Sequence, residues 1–384
     1  MAVKEITDRL KPNDFEFHLI TLRLDKSLPR EEKIGNVFVH RIGFVGTVKE
    51  SADSLKFPLH YNKYLYPFLA AWKGLQLSKK NSFSLNWAIM ANYSGFGALF
   101  FKLLKPKIPY LLTLQEGDPI EYITRESFKV GTGSFKIPVR FFIYPLFKMI
   151  FKKADALQAI SHYLADFGKS MGFRGEPRVV PNGVDTRLFT KELTKEERKN
   201  TREALGLKES DIALVTTSRL VIKNGVGDVI KALPLLPENV KFVIFGEGYM
   251  KEELEKLAAD LKVSHRTIFK GFITHNDMPK YLKACDIFTR PSLSEGFGNS
   301  FIEAMACKLP VIATPVGGIV DFLKDGKTGY FCQPNDPDSI VVAINRYVDD
   351  HYKNRIIEDA YKMALEKYDW DKIVPQMKLI FDQI

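Results

Sequence analysis

Two glutamates, Glu295 and Glu303, lie eight positions apart around a loop that is rich in small residues. Gly296 and Gly298 belong to this loop, and the apolar spacing from Phe301 to Cys307 predicts a helix directly after it. Unpaired backbone N–H groups and the positive end of the helix dipole favour an anion at such a place. The loop is therefore suited to bind a diphosphate. The two carboxylates are better suited to accept hydrogen bonds from sugar or ribose hydroxyls.

Glu303 also has a purely structural interpretation. Ser300 and Glu303 match a capping box, in which the glutamate stabilises the helix start and contacts no ligand. Glu295 stands between Ser294 and Gly296, where a carboxylate satisfies no obvious need of the loop. On the residues alone, both interpretations of Glu303 remain open.

The elements that would position this loop are short apolar runs that alternate with helical patterns. In the first half these runs are 17–22, 37–42, 110–114, 156–160 and 178–181. In the second half they are 213–217, 241–245, 267–270, 287–290 and 311–313. This alternation indicates parallel sheets covered by helices on both faces. We therefore predict an α/β protein with two Rossmann-like, doubly wound domains that face a cleft.

The turn signal of Asn182, Gly183, Val184 and Asp185 and the charged segment after it predict a domain boundary near residue 190. The predicted domains are 1–190 and 191–384. Residues 2–10 look helical, whereas an open α/β domain normally begins with a strand and a glycine-bearing turn. We expect that the first strand is missing or that the sequence starts late.

Composition narrows the class of protein. The 384 residues are 45% hydrophobic and 27% charged, which fits two globular domains without extensive disorder. The three cysteines share no metal-ligand spacing, and no cleavable signal peptide is visible, so we expect a cytoplasmic protein without disulfides. The longest uncharged stretch, 81–101, contains too many Asn and Ser residues to be a transmembrane helix.

The net charge of +10 is concentrated in the first half. Eight lysines and no acidic residue lie between Ser54 and Gln115. Basic and aromatic residues also alternate in 135–153. An anionic membrane surface or an anionic acceptor would suit this charge, and a solvated basic face or a buried helix with a basic edge is the alternative. Nucleic acid is disfavoured, because no recognised nucleic-acid-binding motif accompanies the charge.

The spacing of Glu295 and Glu303 resembles the signature of the retaining glycosyltransferases of GT-B family 4. Four further segments stand in the order that this family shows: 182–185 with Phe189, 218–220, 245–248 and 315–318. The resemblance is strong over about residues 150–384 and loose before them.

By this resemblance, Arg219 and a nearby lysine would bind the donor diphosphate and stabilise the leaving group. The family usually has its lysine five residues after the arginine, where this sequence has Asn224, and Lys223 is the neighbouring candidate. Glu295 would contact the donor sugar near the reacting carbon, and Glu303 would hold the ribose.

The resemblance also implies the rest of the donor site. Gly246 would form a turn near the donor. Phe272 and Ile273 would pack against the nucleobase, and the alternative for these two residues is a plain role in the core. Backbone N–H groups would bind the phosphates from four residues, Phe297, Gly298, Asn299 and Ser300.

The first domain would supply the acceptor side. Gln115 replaces the histidine that ends the corresponding strand in many relatives, and an amide cannot act as a general base. Glu116 or Asp118 could serve instead, or could simply form a solvated turn. Ser161 and His162 would either line the cleft or cap a helix. A C-terminal helix, 370–384, would pack back on the first domain.

The predicted activity is transfer of a sugar, with retention, from a nucleotide diphosphate sugar to a hydroxyl of a saccharide or lipid-linked acceptor. Surface polysaccharide or glycolipid assembly, on the inner face of the membrane, is the expected setting. No cofactor and no metal are expected, since no Asp-x-Asp pair stands in the loop where a metal would be bound. The alternatives are a nucleotide-sugar-binding protein that has lost transfer, and an epimerase or phosphorylase on the same scaffold.

Overall fold

The computed structural model describes residues 2–44, 62–115 and 136–384, with side chains from residue 144 onward in the last segment. Contacts divide the chain into two compact units, Met1–Pro181 with Val374–Ile384 (unit 1) and Asn182–Ile373 (unit 2). The division lies slightly before the predicted boundary near residue 190. The reason is that the turn after Pro181 pairs within unit 2, where Val184 N donates to Tyr368 O over 2.7 Å.

Unit 1 contains two sheets. Its strands are β1 Phe17–Leu22, β2 Glu31–Ile34, β3 Val37–Ile42, β4 Asn86–Ile89, β5 Tyr110–Leu114, β6 Ala156–Ala159 and β7 Arg178–Val179. Its helices are α1 Ala2–Arg9, α2 Asn62–Leu77, α3 Tyr93–Leu104, α4 Lys136–Lys152 and α5 His162–Ser170. One sheet has the order β1-β3-β2, and the other is parallel with the order β4-β5-β6-β7.

The strands predicted in the first half are all present, and a helix precedes the first of them. Strands β2 and β4 were not predicted. Strand β2 pairs antiparallel with β3 and is mostly exposed, so its sequence lacks the apolar run of a buried strand. Strand β4 lies inside the polar stretch 81–101, where Trp87 Nε1 donates to Thr113 Oγ1 over 2.8 Å.

Unit 2 has one parallel sheet of six strands. These are β8 Ile212–Thr217, β9 Val240–Phe245, β10 Thr267–Gly271, β11 Ile287–Arg290, β12 Val311–Ala313 and β13 Tyr330–Phe331. Their order is β10-β9-β8-β11-β12-β13. The five predicted strands are confirmed, with ends shifted by at most one residue. The order reverses between β8 and β11, which is the place where ligands bind in open α/β sheets.

Ten helices of the described residues accompany this sheet or follow it. They are α6 Thr186–Thr190, α7 Lys195–Leu205, α8 Val226–Ala232, α9 Lys251–Asp260, α10 Met278–Ala284, α11 Asn299–Ala306, α12 Ile319–Phe322, α13 Pro337–Asp349, α14 Lys353–Lys367 and α15 Trp370–Asp382. The strands and the inner faces of the helices form a core that is closed to solvent, for example at Phe242, Ile287 and Ile340. Such a core fixes the strand ends and hence the loops that leave them.

Helix α15 begins in unit 2 and ends in unit 1. At its start, the Trp370 ring lies so close to Gly183 that a Cβ on this glycine would be 2.5 Å from Trp370 Cδ2. At its end, the Phe381 ring lies 5.8 Å from the Phe15 ring and 5.0 Å from the Trp87 ring. These aromatic contacts explain why the last residues group with unit 1.

Within the described segments, no helix has both the length and the apolar character that crossing a bilayer requires. The three cysteines, Cys285, Cys307 and Cys332, are free and buried.

Candidate functional site

The candidate site lies where β8 and β11 end next to each other in the unit 2 sheet. The loop after β8 carries Arg219 and Lys223, and the loop after β11 carries Glu295. The two loops are joined directly, because Leu293 N donates to Lys223 O over 2.7 Å. The predicted residues on these loops are thus brought to one edge of the sheet.

Three glycines let the loops at this edge pack backbone against backbone. A Cβ on Gly225 would lie 2.0 Å from Pro291 O, and one on Gly317 would lie 1.9 Å from Glu295 O. A Cβ on Gly246 would lie 1.8 Å from Ser218 O. All three glycines have positive φ angles, which other residues rarely adopt. The loop geometry therefore depends on glycine at these places.

Helix α11 begins directly after the loop and has no side-chain cap. Gly298 is the N-cap, with a φ of 97°, and no side-chain cap bonds to the N–H groups of the first turn. The first N–H groups of a helix have no partner within the helix, so they are available to an anion. Phe297 is buried against Phe322 and Tyr368, and Asn299 Nδ2 donates to Gly183 O over 3.2 Å. These contacts fix the position of the helix start.

Both oxygens of the Glu295 carboxylate accept hydrogen bonds. Gly296 N donates to Oε1 over 3.1 Å, and Arg290 Nη2 donates to Oε2 over 2.5 Å. The side chain is 21% exposed, so one side of it faces solvent. Arg290 was not among the predicted residues. Its signal in the sequence was a charged residue at the end of a buried strand, which requires a partner.

Glu303 forms a pair with His275, whose Nε2 lies 3.0 Å from Glu303 Oε1. The His275 ring also contacts the buried Phe189 ring at 5.2 Å. The capping box is absent, because Glu303 points to His275 and Ser300 Oγ accepts from Arg290 Nη1 over 2.9 Å. The capping interpretation of Glu303 is therefore wrong. His275, which was also not predicted, orients a carboxylate at the edge of the sheet.

Asn224 and the two basic candidates have different environments. The Asn224 side chain is buried and donates from Nδ2 to Arg219 O over 2.7 Å. Arg219 is exposed and Lys223 is half-buried. The buried Asn224 amide thus stabilises the loop, and the Arg219 side chain extends from the loop into solvent.

Phe272 follows Gly271 at the end of β10 and is 77% exposed. The core alternative for Phe272 is therefore wrong, since a core residue would be shielded from water. Ile273 next to it is half-buried.

Several buried hydroxyls have no hydrogen-bond partner among the described residues. One of them is the Tyr110 hydroxyl in unit 1, and the other five belong to Thr216, Thr217, Ser218, Thr289 and Ser292, which lie at the ends of β8 and β11. Buried polar groups are normally paired. Their concentration at this edge makes the base of the site polar.

The acceptor-side candidates lie at the corresponding strand ends of unit 1. Gln115 directly follows β5 and is half-buried, and His162 is exposed at the first position of α5. Ser161 is buried and caps α5, because its Oγ accepts from Leu164 N over 3.3 Å. Glu116 and Asp118 lie outside the described residues.

Two family models match the chain. The model described as Glycosyltransferase Family 4 matches residues 1–188, and the model described as Glycosyl transferases group 1 matches residues 197–363. Among solved structures, HepE of Anabaena in complex with UDP and glucose is similar, with a TM-score of 0.72 at 21% identity. The match covers 91% of this chain and 87% of HepE, and it shows the fold. The chain has the GT-B fold, and its two halves match two glycosyltransferase domain families.

Curated relatives of this GT-B chain align over part of their length. An uncharacterized glycosyltransferase of Methanocaldococcus jannaschii is 34% identical over 202 residues, which are 52% of this chain and 52% of the relative. The putative teichuronic acid biosynthesis glycosyltransferase TuaC of Bacillus subtilis is 30% identical over 270 residues, which are 69% of this chain and 62% of TuaC. The chain thus spans between half and two thirds of these relatives.

Proposed function

We propose that the chain transfers a sugar from a nucleotide diphosphate sugar to a hydroxyl group, with retention at the anomeric carbon, as a member of family 4. The observation that supports this most directly is the arrangement at the ends of β8 and β11. There, an uncapped helix start, a fixed carboxylate and an exposed arginine follow neighbouring strands. This arrangement suits a diphosphate and a sugar bound side by side.

The proposed roles follow from chemistry and burial. The N–H groups of Phe297, Gly298, Asn299 and Ser300 bind the phosphates, and Arg219 and Lys223 stabilise the negative charge that develops on the leaving diphosphate. Such cations replace a metal ion, and no cofactor is required. Glu295 accepts hydrogen bonds from the donor sugar, and Glu303, held by His275, accepts them from the ribose.

Phe272 and Gly246 complete the donor site in this proposal. An aromatic ring that is exposed next to a binding site can stack on a nucleobase. Gly246 lets its loop approach Ser218 closely enough to leave room for the donor. HepE is described with UDP and glucose, so UDP-glucose is the first donor to test.

The acceptor is proposed to be a saccharide or a lipid-linked saccharide bound on unit 1 beside Gln115, Ser161 and His162. Gln115 can donate and accept hydrogen bonds there without transferring a proton. Ser161 Oγ already accepts a hydrogen bond as the cap of α5, so only its donor and its second acceptor position can contact the acceptor saccharide.

An apolar ridge on unit 1 supports a proposal about location. Leu65, Phe68 and Trp72 form an exposed stripe along α2, at the spacing of one helix face. The Phe68 ring stacks on Phe100 of α3 at 4.9 Å, and α3 ends in the exposed Leu103 and Leu104. Phe68 and Trp72 are 62% and 63% exposed, although aromatic side chains usually avoid water.

The lysines around this ridge indicate an anionic partner. Lys79 and Lys80 follow α2, Lys105 and Lys107 follow α3, and all four are exposed. Aromatic and aliphatic side chains flanked by lysines suit the interface of an anionic bilayer, where each lysine contributes about 1 kcal/mol. We propose that this ridge docks on the inner face of a membrane, in the cytoplasm, where a lipid-linked acceptor in polysaccharide or glycolipid assembly would be available.

The docking proposal is tested by sedimentation with vesicles. The full chain should bind vesicles of phosphatidylcholine with phosphatidylglycerol, and bind less to pure phosphatidylcholine or at high salt. The Phe68→Ser, Trp72→Ser double variant should lose about 10-fold or more in affinity. Val342→Ser, which changes an exposed apolar residue of unit 2, should bind as the original chain does. Equal binding by both variants would refute the docking face.

The activity is tested by incubating the chain with a panel of UDP and GDP sugars and measuring nucleotide release with and without saccharide acceptors. The proposal expects acceptor-dependent release, a product with the anomeric configuration of the donor, and activity that persists with a chelator. Glu295→Ala should lower kcat by about 100-fold or more. Glu255→Ala, an exposed carboxylate on α9, is the matched control and should keep full activity.

The alternatives give different outcomes in the same experiment. A protein that has lost transfer would bind a nucleotide sugar in calorimetry but release no nucleotide with any acceptor. Asn224 and Gln115 are the residues that motivate this alternative. An epimerase would change the sugar without consuming acceptor, and a phosphorylase would form a sugar phosphate from a saccharide only when inorganic phosphate is added. Full activity of Glu295→Ala would refute the site assignment.

A further inference from the structure

Arg290 makes three contacts at once in the candidate donor site. It is the last residue of β11 and is only 7% exposed. Nη2 donates to Glu295 Oε2 over 2.5 Å, and Nη1 donates to Ser300 Oγ over 2.9 Å. The guanidinium carbon lies 4.3 Å from the centre of the Phe301 ring. These contacts give the guanidinium a fixed orientation.

The contacts of Arg290 differ from those of an arginine that supports the fold alone. Arg266, in the same unit, is also buried, and its guanidinium donates to the carbonyl oxygens of Val240, Leu236 and Pro237. It also pairs with the exposed Glu238. Arg290 instead donates to two side chains, one on the loop and one on the helix start. Its partners are therefore groups proposed to contact the donor.

The Glu295 carboxylate can accept further hydrogen bonds beside the one from Arg290. An ionised carboxylate has about four lone-pair positions. Arg290 and Gly296 each occupy one of them, on different oxygens. The remaining positions can accept hydroxyl groups of a sugar, in an orientation that Arg290 and Gly296 fix. Burial lowers the pKa of Arg290 from its ordinary value, and the charges of Glu295 and Glu303 oppose this shift.

We propose that Arg290 is a positioning residue, which orients the Glu295 carboxylate toward the donor sugar and ties the start of α11 to the strand end through Ser300. This inference rests on the proposed function, in which Glu295 contacts the sugar. It does not require Arg290 to touch the donor. The hydrogen bond to Glu295 is charge-assisted, so a lysine at position 290 would keep its charge. A lysine cannot, however, reproduce the planar guanidinium, which donates to Glu295 and Ser300 at the same time.

The test is a double-mutant cycle between Arg290 and Glu295. Arg290→Met should lower kcat by about 100-fold, because a misplaced catalytic group costs about this much. The affinity for UDP or GDP should change by less than about threefold, since the contacts of Phe297 and Asn299 still hold the helix start and its N–H groups in place. In a Glu295→Gln background, Arg290→Met should change kcat by less than about threefold, because residues that act as one unit are not additive. Arg290→Lys should recover part of the loss.

Arg266→Met is the matched structural control. It should lower the midpoint of thermal unfolding without changing kcat of the folded protein, and its effects should add to those of Glu295→Gln. The positioning role is refuted if Arg290→Met behaves in the same way, or if it raises only the dissociation constant of the nucleotide. If Arg290→Met does not fold, Arg290→Lys replaces it in the double-mutant cycle with Glu295→Gln.

A crystal structure of the Arg290 variant separates this inference from the proposed function. If the unchanged chain transfers no sugar from any donor, the proposed function fails. The positioning role is then judged on coordinates alone. A Glu295 carboxylate that keeps its orientation in Arg290→Met or Arg290→Lys refutes it, and a carboxylate that rotates away supports it.

Discussion

Asn224 shows how one side chain can change the assignment of its neighbours. It stands where the related family usually has a lysine, but its amide is buried and donates to the Arg219 carbonyl. The amide thus holds the loop through this hydrogen bond and carries no charge for a phosphate. The position therefore serves the loop, and the proposed phosphate contacts fall to Arg219 and Lys223.

Phe272 gives the clearest prediction at the scale of a single residue. Phe272→Ala should raise the dissociation constant of the nucleotide about three- to tenfold, because an aromatic contact contributes about 0.5–1.5 kcal/mol. The thermal midpoint should stay the same, since the ring is 77% exposed and supports no core. Calorimetry and thermal unfolding measure the two effects. Tyr352→Ala, another exposed aromatic residue of unit 2, should change neither, and an unchanged affinity in Phe272→Ala would exclude the stacking role.

The loops that follow β8, β9, β11 and β12 form one interlocked element. Gly246 and Gly317 each bring the backbone of one loop against a carbonyl of another, at Ser218 and Glu295. Gly318 N also donates to Glu295 O over 3.0 Å. A disturbance in one loop is therefore transmitted to the carboxylate on its neighbour. The glycines act at the scale of the element, because they contact backbone and bind nothing themselves.

Gly317→Ala tests this interlocking against Gly206→Ala. Both glycines have positive φ, 54° and 82°, so both substitutions introduce backbone strain of about 1–3 kcal/mol. Only Gly317 has a carbonyl in the path of the new Cβ, 1.9 Å away, whereas nothing lies within 4 Å at Gly206. Gly317→Ala should therefore lower both the thermal midpoint and kcat, and Gly206→Ala only the midpoint. Equal kcat values for the two variants would contradict the model of interlocked loops.

At the scale of the whole molecule, the two units differ in the groups that titrate near neutrality. In unit 1, His18 Nδ1 and His40 Nε2 lie 3.0 Å apart, and His40 Nδ1 lies 3.2 Å from Glu31 Oε1. Lys73 also pairs with Glu31. Burial lowers the pKa of His40 from its ordinary value of 6.5, and the pairing with Lys73 and His40 lowers that of Glu31 from 4.5. The folded form of unit 1 therefore favours a neutral His40.

The directions of these pKa shifts determine how the stability of each unit changes with pH. A histidine whose folded pKa lies below its unfolded value stabilises the fold above pH 6.5, and this contribution is lost as the pH falls below that value. In unit 2, lowered carboxyl pKa values such as those of Glu238 and Asp350 start from 4.5 and 3.8, so their contributions are lost at lower pH. We expect unit 1 to lose stability first on acidification from pH 7 to 5.

Hydrogen exchange read by mass spectrometry measures this difference by segment. After correction for intrinsic rates, peptides of β3 should lose protection between pH 7 and 5, while peptides of β9 keep theirs. In His40→Gln, which cannot titrate, protection of β3 should be lower at pH 7 and change less with pH. An equal pH dependence in the variant and the original chain would show that His40 is not responsible.

The sequence alone determined the local features of this protein. Five of the six strands of unit 2, the loop with Glu295 and the helix that follows it were predicted, because each depends on the spacing of apolar residues and glycines within a short segment. The two-residue strand β13 is too short to show such a spacing and was not predicted. The mostly exposed strand β2 and the polar strand β4 were not predicted for the same reason. Neither contains an apolar run, and each forms because it pairs with a neighbouring strand.

Only the tertiary structure decided which side chains act together. Glu303 could have closed a capping box within its own turn, but it pairs with His275, which lies 28 positions earlier. Arg290 reaches across the loop to Glu295 and Ser300 because β11 and α11 hold both ends of that loop in place. A local pattern specifies the elements, whereas the partner of a buried charge depends on how several elements pack, and this packing cannot be derived from the spacing of residues in one segment.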